Sequence, residues 1–178
     1  MRTPFIFLIP LVCLAICAHA LDQTGAELRK KPVAAEITHK DSRAYSVGNV
    51  IVTYEDGTKD VWTKGSNSSL PRVAADGTVG WTVSGPENQA VTGSSRVRNN
   101  PDLVLCRKGR IIAKARSSLE FIEDWTFISN GEQFALRTRA LHGPAQIELH
   151  ETSTGKLIQC LSATAADLPV WAQPLEDK

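Results

Sequence analysis

Residues 49–63 read NVIVTYEDGTKDVWT. Val50, Val52 and Tyr54 recur at every second position, which places them on one face of an extended chain. A helix would need apolar residues three and four apart. Asp56-Gly57 interrupts the alternation, and it resumes from Thr58 to Thr63. Glycine takes positive φ without a Cβ clash and Asp tolerates that region, so the segment is expected to fold as a β-hairpin.

The same pattern recurs along the chain. Further x-Gly corners stand at Asp76-Gly77, Lys108-Gly109, Asn130-Gly131 and Thr154-Gly155. The Asp-Gly and Asn-Gly corners (56–57, 76–77 and 130–131) have the residues of two-residue turns, and the other two are weaker matches. Around the corners the expected strand pairs are 49–55 with 58–63, 72–75 with 79–84, 102–107 with 110–116, 121–129 with 132–138, and 146–151 with 156–161. Leu103-Val104-Leu105-Cys106 is apolar on both faces, as a strand between two layers would be. With about ten strands and no other helical period, the expected fold is all-β, built from antiparallel hairpins. Residues 85–100 make a long polar connection, the kind that is either functional or loosely held.

At the N-terminus, MRTPFIFLIPLVCLAICAHA sets one Arg before an apolar run and ends on Ala18-His19-Ala20. A short apolar core followed by a small-x-small cleavage pattern predicts a signal peptide, in helical form, over residues 1–20, cut after Ala20. The run is broken by Pro10 and is too short for a membrane span of roughly 20 residues, so no stable span is expected after cleavage. Residues 21–46 read as a charged leader with at most a short strand, and residues 47–178 as a single all-β domain. The expected location is secreted or periplasmic.

The chain carries 20 Lys and Arg against 19 Asp and Glu, and the signal segment removes one Arg and no acid, leaving a nearly neutral remainder. Without a basic stripe or like-charge block, nucleic acid is not an expected partner. Cys106 and Cys160 are the two cysteines left after cleavage. An oxidising compartment permits a disulfide between them, and two separate thiols are the alternative.

Phe127-Ile128-Ser129-Asn130-Gly131-Glu132-Gln133-Phe134-Ala135, followed by Ile147-Glu148-Leu149-His150-Glu151 and Thr152-Ser153-Thr154-Gly155-Lys156-Leu157-Ile158, resembles one blade of a WD-repeat β-propeller. The stretch from Trp62 through Pro71–Gly77 to Trp81 is similar to propeller repeats of exported bacterial proteins. His150 stands where that family has Trp and Glu151 where it has Asp, and its Gly-His dipeptide has no counterpart. The resemblance implies two or three blade-like antiparallel sheets and a bacterial source. A ring of at least four blades of four strands needs more strands than this chain offers, so no complete propeller is expected.

Groups for catalysis are sparse. Gln146, Glu148 and His150 alternate onto one strand face, which is expected to be solvated opposite Ile147 and Leu149; two such ligands do not make a zinc site. Ser129 with His142 and Asp124 lacks a nucleophile elbow, and Glu120, Glu123 and Asp124 form no distinctive acid pair. No catalytic, cofactor-binding or metal-ligating residue is therefore assigned. The binding candidates are His142 and His150, with Trp62 and Trp81 as a sugar-stacking surface or, alternatively, as core. The expected function is a non-enzymatic module that binds a protein or glycan. The alternatives are a small exported hydrolase or metal-dependent enzyme using His142 and nearby acids, and a structural subunit of a homo-oligomer.

Overall fold

A computed structural model describes residues 30–39, 48–83 and 102–176. The signal segment, most of the leader and the 84–101 connection lie outside these residues. The described chain is all-β, with two antiparallel sheets and no closed barrel or propeller. Among the described residues no helix is long and apolar enough to cross a membrane.

The first sheet has seven strands: β1 (Pro32–His39), β2 (Gly48–Tyr54), β3 (Lys59–Val61), β4 (Ser68–Val73), β5 (Val79–Val83), β6 (Asp102–Arg107) and β7 (Arg110–Arg116). Their order is β1-β2-β4-β5-β6-β7, with β3 also paired to β2. The leader, read as charged with at most a short strand and as lying outside the domain, instead supplies the eight-residue β1, which pairs along its length with β2 and belongs to the first sheet. The second sheet is a four-stranded meander of β8 (Phe121–Ile128), β9 (Gln133–Arg139), β10 (Ala145–Glu151) and β11 (Leu157–Ser162). All five expected hairpins form.

The turns differ from expectation. Lys108-Gly109 is the tight two-residue turn, with φ of +51° and +74° closing an Arg107–Arg110 pair. Asp56-Gly57 and Asp76-Gly77 each end a three-residue loop instead, with glycine alone at positive φ. The reason lies in the following Thr: Asp56 and Asp76 accept the backbone N–H of Thr58 and Thr78, which ties the Asp side chain to the turn while its φ stays out of the positive region. Ser129-Asn130-Gly131 forms a short 3-10 turn in a longer connection.

One apolar cluster joins Val50, Val52, Tyr54, Val79, Trp81, Val104 and Cys106 on one face of the first sheet. A second joins Leu103, Leu105, Ala113 and Ala115 to Trp125, Phe134 and Leu136 of the other sheet. The strand 103–106 thus feeds both layers, as its unbroken apolar run implies. Trp125 is the pivot between sheets. It is wholly buried, and its Nε1 donates to the carbonyl of Leu70 at 2.7 Å. Leu70 takes φ of +49° where the β4–β5 register is broken, which turns that carbonyl out of the ladder.

The far face of the second sheet carries Ala135, Ala145 and Ile147 and is covered by the C-terminal strap, through Ala163, Leu168, Trp171, Ala172 and Leu175. Arg137 on the same face donates to the Leu175 carbonyl at 2.8 Å. The central strands β9 and β10 are therefore covered on both faces, whereas β11 is exposed along most of its length.

Candidate functional site

The strand face of Glu148 and His150, expected to meet solvent, is buried: Glu148 is 1 % and His150 3 % exposed. The correction follows from the second layer, because this face of β10 turns toward the first sheet. His150 Nε2 lies 3.0 Å from Glu148 Oε2, and its Nδ1 lies 3.0 Å from the Gly155 carbonyl. The ring stacks on Phe134 at 5.0 Å. The other oxygen of Glu148 accepts the Ser118 hydroxyl, the Ser118 N–H at 3.3 Å and the Thr138 hydroxyl at 3.0 Å.

Burial acts to raise the Glu148 carboxyl, but the bonds from His150, Ser118 and Thr138 outweigh it and its pKa is lowered. Both nitrogens of the ring and both oxygens of the carboxylate are engaged inside the protein. The network ties β10 to β9 and to the chain entering β8. Among the described residues no group of three or more His, Cys, Asp or Glu is arranged to hold a metal ion.

His142 is exposed in the turn between β9 and β10. Glu120, a nearby acid, is committed to holding that turn, accepting the Leu141 N–H at 2.8 Å. Ser129 sits at the opposite end of β9, about 20 Å of extended strand away. Asp124 pairs with Arg72 at 2.7 Å, and Glu123 with Arg137 and Arg139 at 2.8 and 2.9 Å. The fold does not bring Ser129, His142 and Asp124 together, and it spends the acids on arginines.

Cys106 and Cys160 are free thiols, so of the two readings left open the separate thiols hold and the possible disulfide is not formed. Cys106 lies within the inner cluster of the first sheet, whereas Cys160 is on the outer strand of the second and exposed. Burial pushes the Cys106 thiol up to about 11. The Cys160 thiol is also raised, by partial burial of the group and then by the Glu148 carboxylate opposite it in the ladder.

Trp81 is buried and Trp62 half-buried, and both pack on the same cluster, edge to face at 6.3 Å. Trp62 Nε1 donates to Tyr54 Oη at 3.0 Å, and that hydroxyl donates to Asp60 at 3.0 Å. Trp81 is core. Trp62 keeps part of its ring at the surface.

Open sheet edges follow from too few strands for a ring, but which strand forms the edge of the second sheet is what sequence reasoning did not single out. β11 pairs only with β10, and no other described strand covers its outer side. Leu157 is 45 % and Ile158 52 % exposed. From Leu157 to Ala166 there is no charged residue and no Pro. Natural edges are usually blunted by charge, Pro, bulges or a covering segment; this strand carries neither of the first two, and its one bulge lies near its start, at Ile158. The signal was present in the sequence as an uncharged run, but nothing local marks a strand as the last in its sheet.

No protein-family model, curated protein or solved structure matches this chain.

Proposed function

We propose that the protein is an exported β-domain that works by binding, and that β11 takes up an extended segment of a partner protein as an added strand. The observation that carries this is the uncharged, apolar outer edge of β11, whose ladder groups face no described strand. In strand addition, main-chain hydrogen bonds supply affinity, while alternate side chains, here those flanking Leu157 and Ile158, supply selectivity. The absence of charge on this edge also makes it compatible with itself, which favours a second copy of the chain as the alternative occupant. The buried Glu148–His150 network supports binding over catalysis, since its polar atoms are consumed internally.

Selection of extended peptides from a displayed library against the protein tests the proposal. Selected peptides are expected to alternate apolar residues and to slow amide exchange across Leu157–Ser162. Ile158→Lys should abolish their binding. Peptides that bind without protecting β11, or that bind the Ile158→Lys variant equally well, would refute strand addition at this edge. A protein that sediments as a dimer with β11 already protected, and as a monomer after the substitution, would assign the edge to a second copy. Export is tested separately: material recovered outside the cytoplasm should begin at Leu21.

A further inference from the structure

A cavity of about 220 Å³ opens on the first sheet where the entry to β1, the β5 turn and the β6–β7 turn meet. It shares no residue with β11. Tyr54 and Trp62 line it, together with Lys31, Asp76, Arg107 and Lys108. The volume is below the roughly 300 Å³ at which drug-sized pockets begin, so it suits a single ring with one substituent.

The aromatic side is fixed in place. Trp62 is held by its contact with buried Trp81 and by its bond to Tyr54, whose hydroxyl is in turn held by Asp60. With the indole N–H and the phenol already engaged, these rings offer apolar surface and no free polar edge. Such a surface suits the C–H face of a sugar ring or another ring.

The charged side is cationic and preset. Arg107 is pinned by Asp76 at 2.5 Å and by Thr78 at 2.8 Å, so Asp76 is already neutralised. Lys30, also at the rim, is spent on Asp56 at 2.7 Å. Lys31 and Lys108 have no acid partner among the described residues. Their backbones are nonetheless fixed. The Lys31 carbonyl accepts the Glu55 N–H at 3.1 Å, and Lys108 occupies the tight turn at φ of +51°. Gly77 packs under this entry segment so closely that an added Cβ would lie 3.0 Å from Lys31 Cγ. Two lysines without an acid partner among the described residues thus line, together with a rigid aromatic surface, a cavity of one ring's size.

We infer that this cavity binds an acidic sugar residue of the hexuronate type, its ring against Trp62 and its carboxylate between Lys31 and Lys108. Charge complementarity selects the acid, and the aromatic surface selects the ring.

Calorimetric titration of the full protein with glucuronate, glucose, benzoate and sulfate tests this. Glucuronate should bind and quench tryptophan fluorescence, and glucose should not bind. The surface double variant Lys31→Gln/Lys108→Gln, which leaves the core untouched, should weaken glucuronate about tenfold or more. Trp62→Phe should weaken it too while leaving weak anion binding in place. Glucuronate binding that survives the double variant, or no binding at all, would overturn the inference. Benzoate binding more tightly than glucuronate would assign the cavity to aromatic acids and overturn the sugar assignment. Sulfate binding as tightly as glucuronate would reduce the site to a general anion contact and overturn it likewise.

Discussion

His150 Nε2 stands 3.0 Å from Glu148 Oε2, with neither side chain more than 4 % exposed. Two acceptors, this carboxylate and the Gly155 carbonyl, face the two ring nitrogens, so the imidazole is oriented from both sides. Removing one member of a buried pair leaves the other desolvated and unpaired, which generally costs about 3–5 kcal/mol. Glu148→Ala should therefore lower the unfolding free energy by that order in urea denaturation at neutral pH. A loss under about 1 kcal/mol would show that water replaces the carboxylate at little cost.

The same carboxyl gives stability a defined dependence on pH. Its folded-state pKa is lowered from the ordinary value of 4.5. A carboxyl depressed on folding contributes stability that is fully present above its unfolded pKa and disappears as pH falls through the folded one. The stability gap between the natural protein and Glu148→Gln should be largest above about pH 5 and narrow steadily in more acid solution. Denaturation midpoints from pH 7 down to pH 3 measure it. A gap that widens on acidification would reverse the assigned direction.

The alternation of Val50, Val52 and Tyr54 and the glycine corners made the hairpins legible, because both signals are local. Burial of Glu148 and His150 was not legible, for a physical reason. Alternation of polar and apolar residues normally separates a wet face from a dry one. In β10 both faces are covered, one by the strap and one by the first sheet, and the polar face is satisfied by Ser118 and Thr138, 30 and 10 residues away. The choice between paired and separate cysteines was open for the same reason: sequence puts each on a strand, but only tertiary packing puts Cys106 in one layer and Cys160 at the edge of another. The cavity at Trp62 is lined by Lys31 and Lys108, which are far apart in sequence and share it only once the chain entering β1 packs beside the β4–β5 and β6–β7 turns.

Gly80 marks where the sheets press together. A Cβ there would lie 2.5 Å from Trp125 Cη2 and 2.9 Å from Leu105 Cδ2. The indole cannot retreat without giving up its bond to the Leu70 carbonyl, so Gly80→Ala should overpack the interface by about 1–3 kcal/mol. Trp125→Phe relieves the crowding but strands that carbonyl. Thermal melts of the two single variants and the double variant separate the terms. The double should be less destabilised than the sum of the singles, because the smaller ring makes room for the methyl group, whereas simple additivity would mean that the residues do not share this contact.

The two thiols differ in access and in environment, and chemistry should read that difference directly. Cys106 is buried and its thiol is pushed up to about 11, so at neutral pH it is both shielded and protonated. Cys160 is exposed, yet its thiol is raised by partial burial and by the Glu148 carboxylate, so little of it is thiolate near neutrality. The thiolate is the reactive form. A disulfide-exchange reagent should therefore modify one thiol per native chain, more slowly than an unperturbed cysteine, and the rate should climb as pH rises. Cys160→Ser should remove that phase altogether. Glu148→Gln should quicken it at fixed pH, since the like charge that disfavours the Cys160 thiolate is gone. The second thiol should appear only when denaturant unfolds the first sheet. Two thiols reacting in the native protein would mean that the inner cluster opens to solvent, and none would mean that the edge strand carrying Cys160 is covered in solution.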